Sequence, residues 1–226
     1  MPNIVLHQWE ISPFCGKVRK VLRWKGLAYR TVEYNGLLAT RAAKLSGIGK
    51  LPVLDYDGMR VQDSSDIAAF LEKKHPEPAL CPSEPAERAV ATVLEDWSDE
   101  SLYWYEVYLR ISYPQVLPKV VELMCQDRPA WERSVFSVVF RRALTKQLRG
   151  QGLGRQDRQT VETHLFELLA SLEAILAARE WLVGSAKSVA DAAVSAQIDE
   201  MLRTSVLAPR IRQYAAVMRW IGRCAA

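Results

Sequence analysis

A proline-rich segment divides this chain into two parts whose apolar residues follow different periodicities. The segment is HPEPALCPSEP (75–85), and its four prolines exclude a continuous helix, because each lacks a backbone N–H and fixes φ. Strand-like and helix-like segments alternate before it, whereas helical spacing prevails from about residue 86 onward. The pattern predicts an α/β domain at 1–78, a linker at 79–86 and an all-α domain at 87–226.

The first part predicts a small mixed sheet covered by helices. β-branched and alternating apolar residues favour strands, Asp57-Gly58 is typical of a hairpin turn, and apolar residues at helical spacing mark two helices. The predicted elements are a strand at 3–9, a helix at 14–25, a strand at 28–34, two short strands within 51–62 and a helix at 63–76. The order β-α-β-(variable segment)-β-β-α gives a mixed sheet.

The second part predicts helices alone. The segment at 86–110 is either one long helix or two abutting ones, and no internal repeat is visible. Further helical segments are predicted at 113–126, 129–149, 157–179, 188–203 and 208–223.

Composition and charge exclude several classes of protein. The 226 residues carry a formal net charge of +4 with acidic and basic residues interleaved, so we expect no nucleic-acid partner. No run of eighteen apolar residues occurs, which argues against a membrane span, and the first ten residues lack a secretory pattern. Four cysteines and three histidines are scattered without ligand spacing, so we expect no metal, reduced thiols and a cytoplasmic location.

The segment SPFCGKVRK (12–20) lies where the first strand meets the first helix. Ser12 occupies the position at which a helix N-terminus stabilises an anion, and its hydroxyl suits hydrogen bonding to a ligand's thiolate. Cys15, one helical turn further on, is a second candidate for sulfur chemistry. The alternative is that Ser12 is an ordinary N-cap and Cys15 a small core residue, and these nine residues alone do not decide.

Two further segments carry ligand-binding features. A cis bond before Pro52 would turn the backbone N–H and C=O of Leu51 outward, although an edge-strand proline is the simpler interpretation. Asp63 and Ser64 precede a helix, where N–H groups suit a carboxylate and the Asp63 side chain suits an ammonium group. An ordinary N-cap explains the same pair.

The order of these motifs resembles the cytosolic glutathione transferase family. The matching segments are Ser12-Pro13-Phe14, GKLPVLDYDG (49–58), QDSSDIAAFLEKKHP (62–76) and WLVGSAKSVADAAVSA (181–196). In the last one, Ser188 and Asp191 have capping-box spacing, with Asp in place of the usual Glu or Gln. The resemblance implies a thioredoxin-like N-terminal domain, an all-α C-terminal domain and a homodimer, and it predicts a detoxification enzyme.

The resemblance also implies roles for individual residues. Glutathione would be the co-substrate, bound by Ser12, Phe14, Lys50, Leu51, Pro52, Asp63 and Ser64. Ser12 matches the catalytic Ser of the serine-type classes and equally the catalytic Cys of the omega-like and glutaredoxin-like members, whereas Cys15 matches the second Cys of the glutaredoxin-type motif. Trp104, Tyr105 and Tyr108 would line the pocket of a small hydrophobic electrophile.

The sequence departs from the family pattern in two places. The basic residue expected for the glycyl carboxylate falls near Leu38, which is apolar, so Arg41, Lys44 or Lys50 would have to replace it. The segment 148–176, which contains GLGR, also resembles the metaxin and failed-axon-connection branch. The sequence therefore predicts a glutathione transferase, with two alternatives: a thiol-disulfide oxidoreductase using Cys15, or a non-catalytic binding or scaffold protein.

Overall fold

The computed structural model describes residues 2–226, and its first domain contains a four-stranded mixed sheet. The strand order is β2-β1-β3-β4, with β1 parallel to β2 and antiparallel to β3, and β3 antiparallel to β4. The strands are β1 (Ile4–Gln8), β2 (Arg30–Glu33), β3 (Val53–Tyr56) and β4 (Met59–Gln62). The predicted mixed sheet is confirmed, and the turn between β3 and β4 contains Asp57 and Gly58, both at positive φ.

Two main helices pack against this sheet. Helix α1 (Pro13–Trp24) has Ser12 as its N-cap and Pro13 in its first turn, and the chain turns away at Gly26, whose φ is 65°. The variable segment forms a 3₁₀-helix at Gly36–Arg41 followed by the short helix α2 (Ala42–Leu45). Helix α3 (Ser64–Lys74) starts after Asp63 and buries Ile67 and Leu71.

The second domain contains eight α-helices within the described residues. They are α4 (Pro85–Trp97), α5 (Tyr103–Ile111), α6 (Leu117–Met124), α7 (Ala130–Gln151), α8 (Arg158–Ala177), α9 (Val189–Thr204), α10 (Ala208–Ile211) and α11 (Ala215–Ala225). A turn of π-helix at Ser98–Leu102 joins α4 to α5, so the segment 86–110 forms two abutting helices. Since α4 begins at Pro85, its first two residues lie inside the predicted linker, and the domain limits at 78 and 86 stay a prediction.

The single helix predicted at 208–223 is wrong, because the chain forms two helices there. Tyr214 between them is extended, and its hydroxyl donates to the carbonyl of Phe166 at 3.1 Å. The Glu173 carboxylate on α8 accepts from the N–H groups of Ala216 and Val217 at 2.9 Å. A tertiary cap of this kind replaces the hydrogen bonds that a continuous helix would supply.

Helix α9 is the central element of the molecule and packs along α1, where a Cβ added to Gly16 would lie 3.3 Å from the Cβ of Ala196. The predicted capping box is present, since the Ser188 N–H donates to the Asp191 carboxylate at 2.9 Å. Asp191 also accepts from the Trp220 indole at 2.8 Å. Burial raises the pKa of Asp191, and the hydrogen bonds from these donors partly offset the free energy that burying the carboxylate costs.

Within residues 2–226, every helix is too short or too polar to cross a membrane.

Candidate functional site

The register of the sheet brings three separate segments together at one edge of the sheet, the edge where β1 and β4 end and β3 begins. His7 pairs with Val53 on the antiparallel β3, and Val53 pairs with Gln62 on β4. The residues that follow β1, precede β3 and follow β4 therefore lie side by side. These segments carry the predicted site residues, which are Ser12 and Phe14, then Lys50, Leu51 and Pro52, then Asp63 and Ser64.

Ser12 closes the turn after β1 and begins α1. Its N–H donates to the Trp9 carbonyl at 2.9 Å, and its Oγ accepts from the Cys15 N–H at 3.4 Å. A hydroxyl has one hydrogen to donate and two lone pairs, so this cap leaves the O–H hydrogen available. The side chain is partly exposed at the N-terminus of a twelve-residue helix, where an anion is stabilised by the helix dipole and by unpaired N–H groups.

Cys15 lies in a different environment from Ser12. The residue is fully buried, and burial raises the pKa of its thiol to about 11. The backbone N–H of Trp9 lies 3.5 Å from Sγ, which opposes the upward shift without overcoming it. A thiol in this environment stays protonated at neutral pH, so the position fits a core residue.

The segment before β3 is ordered by its own polar contacts. The Leu51–Pro52 bond is cis, so of the two interpretations of Pro52 the structure has the cis bond and not the simpler edge-strand proline. The Ser46 hydroxyl contacts both the N–H and the C=O of Lys50, at 3.3 and 3.2 Å. The Gly47 N–H donates to the Gln62 side chain at 2.8 Å, and this contact ties the 46–50 loop to the end of β4. These contacts fix the backbone of Lys50, and its side chain is exposed to solvent.

Asp63 and Ser64 lie at the start of α3. The Asp63 carboxylate accepts from the Ser65 N–H at 2.8 Å, and Ser64 is buried. Asp63 adopts φ 73° and ψ 138°, a conformation that non-glycine residues rarely take. In the sequence, Asp63 has the pattern of an ordinary N-cap, which does not predict a positive φ at this position.

The three candidate basic residues all lie on the surface. Arg41, Lys44 and Lys50 are exposed, and none of them forms an ion pair with a carboxylate among residues 2–226. Lys50 is adjacent in sequence to Leu51, whereas Arg41 and Lys44 belong to the segment that contains α2. All three are available to an anionic ligand.

The predicted electrophile residues are only partly brought together. The Phe14 ring lies 4.9 Å from the ring of Tyr103, which in turn lies 5.1 Å from Trp104. Tyr105 is partly exposed, while Tyr108 is buried and lines a separate cavity of about 310 Å³ with residues that include Arg141 and Gln156. Tyr103 is the aromatic residue that sequence reasoning missed, because helical spacing alone does not say which face of α5 meets Phe14.

Lys17 is a second residue that sequence reasoning missed. Its side chain is fully buried, and Nζ lies 2.9 Å from the Ser65 hydroxyl, 2.8 Å from Asp99 and 2.6 Å from Glu95. Lys17 therefore ties the start of α3 to the junction of α4 and the π-helical turn in the helical domain. In the sequence, Lys17 is one of several basic residues between apolar ones, a pattern typical of solvated lysines on an amphipathic helix. The pattern therefore did not predict that Lys17 is buried.

The part of the chain that the structure describes contains no group of three or more His, Cys, Asp or Glu side chains arranged to hold a metal ion.

The sheet topology and the order of the elements define a two-domain protein with a thioredoxin-like first domain and a helical second domain. The model of the glutathione S-transferase N-terminal domain matches residues 6–79, and the model of the C-terminal domain matches residues 117–226. The chain belongs to the glutathione S-transferase family.

Individual relatives share limited identity with this chain. A glutathione S-transferase of Pseudomonas putida is 32% identical over 84 residues, 37% of this chain and 38% of the relative. The failed axon connections protein of Drosophila melanogaster is 24% identical, over 85% of this chain and 47% of the relative. An isoprene-epoxide–glutathione S-transferase of Rhodococcus is 23% identical, over 82% of this chain and 78% of the relative. The matches thus span less than half the length of the first two relatives.

Solved structures share the whole fold. The β-etherase LigF from Sphingobium has a TM-score of 0.72 at 22% identity, with 99% of this chain and 95% of that chain covered. A theta class glutathione S-transferase from Xanthomonas axonopodis, solved with glutathione bound, has a TM-score of 0.63 at 20% identity, with coverages of 99% and 92%. At these identities the likeness concerns the fold alone.

Proposed function

We propose that this protein is a glutathione transferase that activates the glutathione thiol with Ser12 for attack on a hydrophobic electrophile. One observation carries the proposal: the partly exposed Ser12 hydroxyl shares a sheet edge with Leu51-Pro52 and Asp63-Ser64, while Cys15 is buried. A peptide-like ligand along this edge would meet backbone groups, a carboxylate and a helix N-terminus in turn.

In this proposal each part of glutathione has a partner. The Leu51 backbone would pair with the cysteinyl unit, and the Asp63 carboxylate and the start of α3 at Ser64 would hold the ammonium and carboxylate of the γ-glutamyl group. Lys50 is our candidate for the glycyl carboxylate, because its backbone is fixed by Ser46 directly beside Leu51. Phe14 would cover the thiol from the electrophile side.

The chemistry asks little of the protein beyond a lowered thiol pKa. The Ser12 O–H would donate to the sulfur while Oγ accepts from the Cys15 N–H, and this accepted bond polarises the hydroxyl. A shift of about two pKa units corresponds to about 2.7 kcal/mol of preferential thiolate stabilisation. The thiol proton leaves to solvent, the thiolate forms a carbon–sulfur bond, and the electrophile's leaving group or opened oxygen accepts the electron pair.

The electrophile would bind beside Phe14, against Tyr103 and Trp104, where the two domains meet. Tyr105, on the same helix, stays a candidate for this pocket, whereas Tyr108 lines a different cavity. The names of two similar proteins, an isoprene-epoxide–glutathione transferase and a β-etherase, make an epoxide and an ether the first probes.

The two alternatives make different predictions. A thiol-disulfide oxidoreductase needs a reactive Cys15 thiolate, which its burial and raised pKa oppose. A binding or scaffold protein, the alternative implied by the resemblance to the metaxin and failed-axon-connection branch, would leave the sheet edge without glutathione. The location we propose is the cytoplasm, where all four cysteines would stay reduced, as they are in the structure.

We further propose that two copies form a homodimer through α4 and α7. Helix α4 exposes Val90, Val93 and Asp96, and Glu100 is exposed in the π-helical turn that follows, so this face is apolar and acidic. Helix α7 exposes an apolar and basic face, formed by Trp131, Val135, Val138 and Val139 with Arg141, Arg142 and Lys146. These faces are complementary in charge, and a twofold axis would pair each with its counterpart twice.

Two experiments test these proposals. Isothermal calorimetry with glutathione, combined with thiolate absorbance near 240 nm, should show binding and ionisation of the thiol at neutral pH; no binding at millimolar ligand excludes the transferase.

Sedimentation equilibrium should give a dimer for the wild type and a monomer for Val93→Arg combined with Trp131→Glu. An unchanged dimer would exclude this interface.

A further inference from the structure

The turn that presents Ser12 is held from outside by the helical domain. Arg110 on α5 is buried and reaches into the first domain, where its Nη2 donates to the Ile11 carbonyl at 2.7 Å. Ile11 is fully buried and directly precedes Ser12. One side chain of the second domain thus fixes the peptide unit that carries the Ser12 N–H.

The guanidinium of Arg110 is itself fixed by two buried carboxyl groups. Glu106, one turn earlier on α5, forms an ion pair with Nε of Arg110, and Glu200 on α9 lies 3.3 Å from Nη2. The exposed fraction is 1% for Glu106 and 5% for Glu200. Burial raises the pKa of both carboxyl groups despite the arginine, so keeping this cluster inside the protein is costly.

The neighbouring residues of the same turn have separate anchors. The Trp9 indole donates to the Met124 carbonyl at 3.2 Å, and the Glu10 carboxylate pairs with Arg203 on α9 at 2.8 Å. Arg110 differs from both because it binds the main chain next to Ser12 and because its other contacts are charged and buried.

We propose that Arg110 is a positioning residue, which sets the direction of the Ser12 hydroxyl through the Ile11 carbonyl and so couples the helical domain to thiol activation. The inference rests on the proposed function of Ser12. Loss of this anchor would let the 9–12 turn relax while the glutathione contacts at Leu51 and Asp63 remain. A displacement of about 1 Å at a reacting group lowers a rate by about a hundredfold, so the effect should fall on kcat.

The test removes the arginine without stranding its partner. Arg110→Gln is combined with Glu106→Gln, which leaves Glu200 paired with Arg203 at 3.5 Å. Arg110→Lys is measured in parallel, because it keeps the charge but lacks the planar set of donors that serves a carbonyl and two carboxylates at once. The matched control is Arg158→Gln, which removes a surface arginine that donates to the Ser112 carbonyl at 3.1 Å.

Five quantities are measured on each variant: the unfolding midpoint, the glutathione Kd, the pH dependence of thiolate absorbance, kcat, and hydrogen exchange of residues 9–16. We expect Arg110 variants to keep Kd within about threefold, to lose about 10- to 100-fold in kcat and to ionise the bound thiol at higher pH. Their 9–16 segment should exchange faster, and Arg158→Gln should match the wild type.

A folded Arg110 variant with wild-type kcat, thiol ionisation and exchange at 9–16 overturns the inference. If glutathione binds the wild type without ionising, the proposed function fails, and the exchange measurement still decides whether Arg110 orders the turn. Failure of the double variant to fold leaves Arg110→Lys to decide, since its charge balance is that of the wild type.

Discussion

The Oγ of Ser12 accepts a hydrogen bond from the N–H of Cys15 at 3.4 Å, so one hydroxyl both caps α1 and faces the edge of the sheet. The cap fixes the hydroxyl oxygen, while its hydrogen keeps the freedom to donate elsewhere. Cys15 contributes its backbone N–H to this cap, while its thiol is buried, and the Ser12 side chain only partly opposes the rise in the thiol pKa that burial causes. Residue types alone do not show that Cys15 supplies the N–H for this cap while its side chain lies in the core.

Replacing Ser12 by Ala should lower conjugation activity by about a hundredfold, because the proposed donor to the sulfur is lost. The same change should lower the free energy of unfolding by about 1 kcal/mol, since α1 also loses its N-cap. Initial rates with an epoxide substrate and urea denaturation measure the two effects. Asp157→Ala is the matched control, as it removes the N-cap of α8 away from the sheet edge and should affect stability alone. Wild-type rates in Ser12→Ala would exclude its role.

Replacing Asp63 by Asn should raise the KM for glutathione by about tenfold or more, because the proposed charge-assisted contact to the ammonium group would be lost. Asn tolerates positive φ better than most residues, so the backbone at φ 73° should be kept and kcat should change little. Steady-state kinetics over a range of glutathione concentrations separates the two constants. The Asp157→Asn variant alters another capping aspartate and should leave KM unchanged. An unaltered KM in Asp63→Asn would contradict the assignment.

The four cysteines should differ sharply in reactivity towards a disulfide reagent. Cys81 is exposed, whereas burial raises the pKa of Cys15 to about 11, so at pH 8 the thiolate fraction of Cys15 is about a hundredfold below that of an ordinary thiol. Mass spectrometry of the native protein should find fast labelling at Cys81 alone, and Cys81→Ser should abolish the fast phase. Prompt labelling of Cys15 in the folded protein would favour the oxidoreductase alternative.

Replacing Lys17 by Met should destabilise the protein by about 3–5 kcal/mol, because Glu95 and Asp99 would keep their charges in a buried site without their cation. Burial already raises the pKa of Asp99, which shows how unfavourable that site is for a carboxylate. Guanidinium denaturation measures the loss, and adding Asp99→Asn to Lys17→Met should recover part of it. If Lys17→Met is as stable as the wild type, the ion pairs contribute nothing to domain packing.

Local chemistry explains which site residues were predictable. Ser12, Asp63 and Ser64 lie at helix N-termini, and the preference for these residue types at such positions is set by the nearest N–H groups. The Asp57-Gly58 turn follows from positive φ at both positions in the same local way. The capping box of Ser188 and Asp191 is equally local, although the contact from Trp220 to Asp191 is not.

Residues whose role depends on distant partners were not predictable. Tyr103 meets Phe14 from 89 positions away, and Arg110 reaches Ile11 from 99 positions away. Lys17 looks like a solvated lysine until α4 brings Glu95 against it. The break between α10 and α11 follows from Glu173 on α8, which lies 43 residues before the N–H that it caps.

The sequence by itself determined the two-domain division and the order of the strands and main helices as far as α9, because proline, periodicity and capping act over a few residues. It also determined which residue types stand at the ends of β1, β3 and β4. Only the tertiary structure decided that these ends share one edge, that Cys15 is buried while Ser12 is partly exposed, and that Arg110 donates to the Ile11 carbonyl in the turn between β1 and α1. Burial and long-range pairing depend on the packing of the whole chain, so no local pattern specifies them.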